Sequence, residues 1–289
     1  MRIEDNNLYY VGGVVRDAIL GLPSVDVDYC YEGNAIDFAQ NNGLNIIRTN
    51  PDFGTVRVRI GDKLIDIAST RIEEYPKKGH LPVIEKLGCS LEEDLKRRDF
   101  TINAMAMRTT DGEIIDFNDG LGDLQAKKLK VLHDGSFIDD PTRIIRGLKF
   151  AVRFGFDLDE KTKELQEEYL EKVDYDMSFF RLKKELVDAF SLNKKEVFEK
   201  FIEYKMYRLL GDNQILPVAN AEKLESIAQQ CRKEYRWLIY LNFFDLTNLE
   251  LTRGEKRILE WAERLNKEKP SGNTPPESLL IYSMREEIS

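Results

Sequence analysis

The chain has 289 residues and a formal net charge of −9, which argues against a protein that coats nucleic acid through its overall field. This length accommodates two or more domains, and no apolar run is long enough to predict a membrane span. Two histidines and three widely spaced cysteines exclude a histidine-rich metal site. Because the Met1–Asp5 start also lacks a signal-peptide pattern, we expect a reduced, cytoplasmic protein.

A glycine pair near the start of the chain predicts a phosphate-binding turn. Leu8–Val11 is a predicted strand, and Gly12 and Gly13 separate it from a helix predicted over Val14–Leu20. A helix N-terminus with free backbone N–H groups favours phosphate, and Arg16 lies one turn into this helix. Both glycines and Arg16 are therefore candidate nucleotide-binding residues.

The next predicted strand, Val25–Tyr31, carries two carboxylates. Apolar residues alternate with Asp26 and Asp28, so both carboxylates project from one face. Like charges so close repel each other, and Mg²⁺, which prefers one or two carboxylates plus phosphate oxygens, would relieve the repulsion. A solvated strand face is the alternative. A phosphate-binding turn followed by a metal-binding strand is the arrangement expected for a nucleoside triphosphate.

A predicted hairpin offers a third carboxylate to this face. After a helix over Asn34–Gln40 and a strand over Asn45–Thr49, the pattern predicts strands at Thr55–Ile60 and Lys63–Ile67, turning at Gly61-Asp62. Asp66 would serve as general base or as metal support. The alternative for Asp66 is an exposed strand residue.

The segment Ser69–Ser90 is rich in proline and glycine, and its length predicts a functional loop. Leu91–Lys96 is a predicted helix, and a further hairpin turns at Asp111-Gly112. From Ser136 the pattern is helical, beginning with a helix from Pro141 to about Phe154. Further helices are predicted at 160–173, 178–191, 194–204, 220–232 and 254–266, and the residues from Lys269 are predicted to be loosely ordered.

Four motifs in chain order resemble those of the bacterial class II tRNA nucleotidyltransferases: Gly12-Gly13-x-x-Arg16-Asp17, Asp26-x-Asp28, Arg97-Arg98-Asp99-Phe100-Thr101-x-Asn103-Ala104 and Asp139-Asp140-Pro141-x-Arg143-x-x-Arg146. The resemblance covers about residues 8–190. This family belongs to the DNA polymerase beta-like nucleotidyltransferase superfamily. It includes CCA-adding, CC-adding and A-adding enzymes and bacterial poly(A) polymerases.

The resemblance implies an α+β fold with a mixed-sheet head followed by an all-α neck and body. The expected boundaries are 1–135 for the catalytic head, 136–191 for the neck that selects the base, and 192–289 for an RNA-binding body. The tail domain of full-length members is expected to be reduced or absent.

The resemblance also implies roles for individual residues. Asp26 and Asp28 take the place of the Mg²⁺-binding pair. The implied nucleotide-binding set comprises Gly12, Gly13, Arg16, Arg98, Asp99, Asn103, Asp140, Arg143, Arg146 and Lys149. Within this set, Asp140 and Arg143 match the pair that reads the Watson–Crick edge of the incoming base. A carboxylate accepts from an exocyclic amine and a guanidinium donates to ring acceptors, which suits ATP and CTP.

The implied activity is template-independent addition of C and A from CTP and ATP to the tRNA 3′ end, with release of pyrophosphate. An A-adding enzyme restricted to tRNA ending in CC is the first alternative. A poly(A) polymerase and a non-catalytic RNA- or nucleotide-binding protein on the same fold are further alternatives. Departures from the family pattern are Asp139, where many CCA-adding members carry Glu, Lys149, where many carry Arg, and Phe180, where an acidic residue is frequent.

Overall fold

The structure, a computed structural model, describes residues 3–23, 27–217, 219–267 and 269–286. The chain divides into two compact units: a head of Met1–Asp139 with Asp157–Thr162, and a helical unit of Asp140–Phe156 with Lys163–Ser289. The head contains a mixed sheet and the helical unit is built from helices, which confirms the predicted α+β class. Among the described residues, no helix combines the length and apolar character needed to cross a membrane.

The sheet of the head places distant parts of the chain side by side. Its strands are β1 (Leu8–Val11), β2 (Asp28–Tyr31), β3 (Asn45–Asn50), β4 (Thr55–Ile60) and β5 (Lys63–Ser69), and, after a separate hairpin of β6 (Arg71–Glu74) and β7 (Val83–Leu87), β8 (Met105–Arg108) and β9 (Ile114–Asp116). The sheet order is β3-β4-β5-β2-β1-β8-β9, in which β2 and β5 are parallel neighbours and the other pairs are antiparallel. Two short strands, β10 (Lys128–Leu129) and β11 (Asp157–Leu158), pair separately.

Alternation along β4 shows why these segments form strands. Val56 and Val58 are buried, whereas Arg57 and Arg59 are exposed, as expected for a strand with one packed face. Apolar side chains pack on both faces of the sheet, in one cluster around Phe38 and another around Leu95. The register of β4 is fixed because one face is packed and the other exposed, so a shift of one residue would exchange buried and exposed side chains.

Short helices cover and connect the strands of the head: α1 (Gly13–Ile19), α2 (Ala35–Asn41), α3 (Leu91–Lys96), α4 (Gly120–Gln125) and α5 (Ser136–Asp139). The Asn34 side chain caps α2 by accepting from the N–H groups of Ile36 and Asp37, at 2.9 and 3.2 Å. Ser90 and Glu93 form a reciprocal capping box at the start of α3. These caps explain why both helices begin close to their predicted starts.

The prediction of a loop over Ser69–Ser90 is wrong, because β6 and β7 pair as an antiparallel hairpin. Neither strand has the apolar alternation that makes a strand readable from sequence. Instead, ion pairs hold β6: Glu73 accepts from Arg71 Nε at 2.7 Å and from Arg97 Nη1 at 3.1 Å. The Arg71 backbone N–H donates to Asp94 Oδ1 at 3.0 Å and so joins the hairpin to α3.

The helices of the second part of the chain are α6 (Thr142–Phe154), α7 (Glu160–Glu171), α8 (Phe179–Phe190), α9 (Lys195–Glu203), α10 (Ala221–Gln229), α11 (Arg236–Leu241), α12 (Arg253–Arg264) and α13 (Pro276–Glu286). The first residues of α7 belong to the head and the rest to the helical unit. The residue that caps the C-terminus of α6 is Gly155, whose φ of 68° is in the left-handed region that favours glycine. Aromatic side chains form the core of the helical unit, as in the contact between Phe190 and Tyr240 with ring centroids 5.1 Å apart.

α13 contradicts the prediction of a loosely ordered segment from Lys269. Ile281 and Met284 are fully buried, and Ser278 Oγ donates to the Ile258 carbonyl oxygen at 2.7 Å. The proline- and serine-rich sequence before this helix obscured its apolar face. Elsewhere in the chain Cys30, Cys89 and Cys231 are buried free thiols.

Candidate active site

The glycine turn after β1 brings Arg98 against the backbone. Gly12 has a φ of 71°, and a Cβ at this position would lie 2.8 Å from Arg98 Nη1. The N–H of Gly12 donates to the Met105 carbonyl oxygen at 3.2 Å, so this N–H is engaged by β8 and is not the free phosphate donor that the sequence predicted. Gly13 begins α1, and its α-carbon faces the Arg16 guanidinium.

Arg16 is buried and links the glycine turn to the Arg97–Ala104 motif. Its Nε and Nη2 atoms donate to Asp17 Oδ1 at 2.9 and 2.7 Å, and its Nη1 donates to Asn103 Oδ1 at 2.5 Å. Asn103 in turn donates to Asp99 Oδ1 at 3.0 Å. Three predicted nucleotide-binding residues therefore form one hydrogen-bonded network inside the head.

Asp94, within α3, fixes the two arginines that follow this helix. It accepts from Arg97 Nε at 3.0 Å and from Arg98 Nη2 at 3.2 Å, and its side chain is fully buried. Burial alone would raise the pKa of Asp94, but the charges of Arg97 and Arg98 outweigh burial and lower it. Asp94 is therefore ionised and holds both guanidinium groups. The Arg98 Nε is buried and has no hydrogen-bond partner in the part of the chain that the structure describes.

The parallel pairing of β2 and β5 brings two predicted catalytic carboxylates together. Asp28 lies directly opposite Asp66 in the register, and both side chains are exposed on the sheet. Asp66 also accepts a bidentate pair of hydrogen bonds from Arg57, at 2.7 and 2.6 Å, which raises the pKa of Arg57. Asp66 is thus paired with a cation. Asp26 lies outside the described residues, so its pairing with Asp28 stays a prediction.

A cleft of ≈ 540 Å³ lies over this part of the head. Asp28 and Asp66 line it together with five arginines: Arg48, Arg57, Arg71, Arg97 and Arg98. A cleft with clustered guanidinium groups around exposed carboxylates suits a ligand that carries several phosphates and a divalent cation. The head thus offers cations for the phosphates of a nucleoside triphosphate and carboxylates for its divalent cation.

Of these five arginines the predicted site includes Arg98 alone. The other four are Arg97, which lies in a quoted motif, and Arg48, Arg57 and Arg71, which the sequence-based prediction missed altogether. For Arg57 a signal was available, because the two-residue turn at Gly61-Asp62 pairs Ile60 with Lys63 and so places Arg57 opposite Asp66. Arg48 depends on an irregular register between β3 and β4 that no pattern in the sequence reveals.

In the helical unit, the predicted base-reading pair lies at the start of α6. Asp140 and Arg143 are both buried, with 5% and 4% of their surfaces exposed. Asp140 Oδ1 accepts from the N–H and hydroxyl of Thr142, at 3.1 and 2.6 Å, and Asp140 Oδ2 accepts from Arg181 of α8. The carboxylate is therefore held in one orientation by two elements.

The other predicted cations of α6 are bound to α8. Arg146 Nη1 and Lys149 Nζ lie 3.4 and 3.0 Å from the two carboxylate oxygens of Glu185. These cations differ in exposure, because Arg143 is buried whereas Arg146 and Lys149 are half-buried. In the head, Asp139 pairs with Lys78 of the β6–β7 hairpin at 2.6 Å.

The mixed sheet and its charged cleft define a nucleotidyltransferase head, and comparison with known proteins supports this class. A family model described as the poly A polymerase head domain matches residues 8–130. The A-adding tRNA nucleotidyltransferase of Aquifex aeolicus (strain VF5) is 41% identical over 215 residues, which are 71% of this chain and 25% of that protein. The CCA-adding enzyme of Streptococcus suis (strain 05ZYH33) is 34% identical over 239 residues, 79% of this chain and 56% of that protein.

A solved structure described as a tRNA-processing enzyme (apo form I) superimposes with a TM-score of 0.72 and 30% identity, covering 97% of this chain and 83% of that one. The chain belongs to the tRNA nucleotidyltransferase/poly(A) polymerase family. It spans less than two thirds of the length of the two curated relatives.

Proposed function

We propose that this chain adds C and A from CTP and ATP to the 3′ end of tRNA and releases pyrophosphate. The observation that carries the proposal is the cleft of the head, where Asp28 and Asp66 face a cluster of arginines. The relatives named as A-adding and CCA-adding enzymes support the same reaction class. The predicted neck (136–191) and RNA-binding body (192–289) are part of the proposal.

Mg²⁺ is the proposed cofactor, and Asp28 with Asp26 is its proposed site. The exposed Asp28 carboxylate in the cleft fits Mg²⁺, which takes one or two carboxylates and completes its coordination with water and substrate phosphates. When bound, the metal would lower the pKa of the attacking hydroxyl and neutralise charge on the leaving group. Asp66 is proposed as a supporting carboxylate, and Arg57 fixes its orientation.

Arg98 is the proposed contact to the nucleotide phosphates, together with the Gly12-Gly13 turn. Asp94 holds its guanidinium, and Gly12 allows the close approach of its Nη1 atom. The network of Arg16, Asn103 and Asp99 keeps the turn and the arginine motif in a fixed relation. Catalysis of phosphoryl transfer depends mainly on positioning and electrostatics, which such preorganised cations supply.

Asp140 and Arg143 are proposed to select the base. Both Asp140 oxygens are already hydrogen-bonded, but an ionised carboxylate has about four acceptor sites, so it can still accept from an exocyclic amine. ATP and CTP carry that amine next to a ring nitrogen that accepts, whereas GTP and UTP carry a carbonyl oxygen and a protonated ring nitrogen at those positions. Arg146 and Lys149 complete the proposed set from the same helix, where Glu185 holds them in place.

Incorporation of labelled nucleotides on three tRNAs tests the proposal. The RNAs end at the discriminator base, at CC, or at CCA, and each is incubated with CTP, ATP or both in the presence of Mg²⁺. Successive addition of C, C and A to the first RNA is the expected result. Addition of A to the CC-ending RNA alone would instead support the A-adding alternative.

Two variants test whether incorporation requires the Asp28 carboxylate. Asp28→Asn should abolish incorporation, whereas Asp62→Asn, an exposed carboxylate in the β4–β5 turn outside the cleft lining, should not. Continued addition of adenosines to any RNA would support a poly(A) polymerase, and RNA binding without metal-dependent incorporation would support a binding protein. The cytoplasmic location is part of the same proposal and is supported by the three buried free cysteines.

A further inference from the structure

Four charged residues form a row across the sheet of the head. In the register, Arg48 of β3 lies opposite Arg57 of β4, Arg57 opposite Asp66 of β5, and Asp66 opposite Asp28 of β2. All four are exposed and line the same cleft. Arg57 and Arg48 therefore extend the row beyond Asp28 and Asp66 on one side. Neither arginine belongs to any of the four sequence motifs.

The position of Arg48 opposite Arg57 destabilises the pairing of β3 with β4. Like charges directly opposite each other on neighbouring strands destabilise the pairing. The register between β3 and β4 shifts between Ile46 and Arg48, so a β-bulge brings Arg48 opposite Arg57. Such bulges re-aim side chains beside active sites. Asp66 neutralises Arg57, but among the described residues no carboxylate pairs with Arg48. An anionic ligand would relieve the repulsion.

The order of the strands indicates which anion this is. In-line phosphoryl transfer puts the attacking hydroxyl and the leaving pyrophosphate on opposite sides of the reacting phosphorus. The Gly12-Gly13 turn follows β1, which neighbours β2 on one side, whereas β5, β4 and β3 lie on the other. If the triphosphate lies at the glycine turn, as proposed above, the arginines lie on the flank of the attacking hydroxyl.

We infer that Arg48 and Arg57 form a phosphate site for the acceptor RNA, binding a phosphodiester near its 3′ end. The inference rests on the proposed function. The exposed Arg57 holds Asp66 with Nε and Nη2, so its Nη1 can donate to this ligand in addition. Both arginines position the RNA and take no part in the bond exchange itself.

Binding of an acceptor-stem minihelix that ends in CC provides the test, without nucleotide and as a function of salt. Arg48→Ala should raise the Kd by about tenfold, the effect of losing one charged hydrogen bond. The slope of log K against log salt should fall by about 0.7–0.9. Arg57→Lys keeps the charge but loses the fork, and should show a smaller rise. Arg59→Ala removes an exposed arginine of β4 outside the cleft lining and should leave the Kd unchanged.

A methylphosphonate at each of the last linkages of the RNA identifies the contact. At one linkage the neutral group should weaken binding to the wild-type chain but not further weaken binding to the Arg48→Ala variant. An unchanged Kd for Arg48→Ala, or a raised KM for ATP with no change in RNA binding, would overturn the inference. Because binding is measured without incorporation, absence of incorporation by the wild-type chain would count against the proposed function alone.

Discussion

Replacement of Gly12 by alanine tests whether the close approach of Arg98 to the backbone matters. Gly12 combines a φ of 71° with a ψ of −127°, a region that is essentially restricted to glycine. The new Cβ would lie 2.8 Å from Arg98 Nη1. The variant therefore has two effects, backbone strain and displacement of the guanidinium.

The two effects have different magnitudes. Strain of this kind costs about 1–3 kcal/mol of unfolding free energy. The guanidinium must move by about half an ångström to reach the ordinary contact distance of 3.4 Å. A misplacement of 1 Å can cost about a hundredfold in rate, so we expect kcat/KM for ATP to fall about tenfold.

Gly61→Ala is the matched control in the same unit. Gly61 also has a positive φ, of 57°, but an added Cβ there would meet open space. It should lose about 1–2 kcal/mol of stability and keep its kcat/KM. Urea unfolding measures the strain, and steady-state kinetics on a CC-ending tRNA measures the activity. Equal kcat/KM values for the two variants would refute the role assigned to the Arg98 contact.

Four further single substitutions and one double variant test other parts of the structure. Asp28→Asn should lower kcat by at least about a hundredfold with an unchanged Tm, because its carboxylate is exposed and is proposed to bind the metal. Asp94→Asn should lose about 3–5 kcal/mol, measured by urea unfolding at pH 7, because Arg98 loses its buried carboxylate partner and Arg97 retains Glu73 alone of its two. Arg181→Ala should raise misincorporation of GTP or UTP relative to ATP by about tenfold, since Asp140 loses its partner on α8. Lys183 and Glu255 form a buried pair at 2.5 Å, so Glu255→Gln should cost about 3–5 kcal/mol, and adding Lys183→Met should recover part of the loss.

The pH dependence of stability provides a second readout for Asp94. Its folded-state pKa is lowered from the ordinary value of 3.8, so its contribution to stability is fully present above pH 3.8. This contribution is lost as the pH falls through the lowered pKa. Wild-type stability should therefore decrease more steeply than that of Asp94→Asn as the pH falls below 3.8, and parallel curves would contradict the ionised state of Asp94.

For Lys183 and Glu255, the double variant is the control. If the free-energy costs of the two single substitutions simply add, the two side chains do not interact.

Elements with strong local signals were predicted closely. β4 and α3 have their predicted bounds, because alternation marks the first and a capping box marks the second. The β6–β7 hairpin and α13 were missed for different reasons. The hairpin depends on ion pairs with distant residues, and the start of α13 lies in a proline- and serine-rich stretch.

In the candidate site, positions set by a local sequence pattern could be predicted, whereas positions set by long-range packing could not. Strand periodicity predicted that Asp66 faces the same way as Asp28, and in the β2–β5 register Asp66 lies beside Asp28. Its ion pair with Arg57 was readable from the hairpin turn but was not predicted. The position of Arg48 depends on a β-bulge, and the burial of Arg143 depends on packing between helices, so neither follows from a local pattern.

The three buried cysteines give the wild-type chain its own reporters of local opening. Only a thiolate reacts with alkylating reagents, and burial raises the pKa of Cys30 and Cys89, and that of Cys231 to about 12. Modification therefore requires a transient opening that brings each thiol into water. Because Cys30 and Cys89 lie in the head and Cys231 lies in the helical unit, their alkylation rates report the opening free energy of each unit separately.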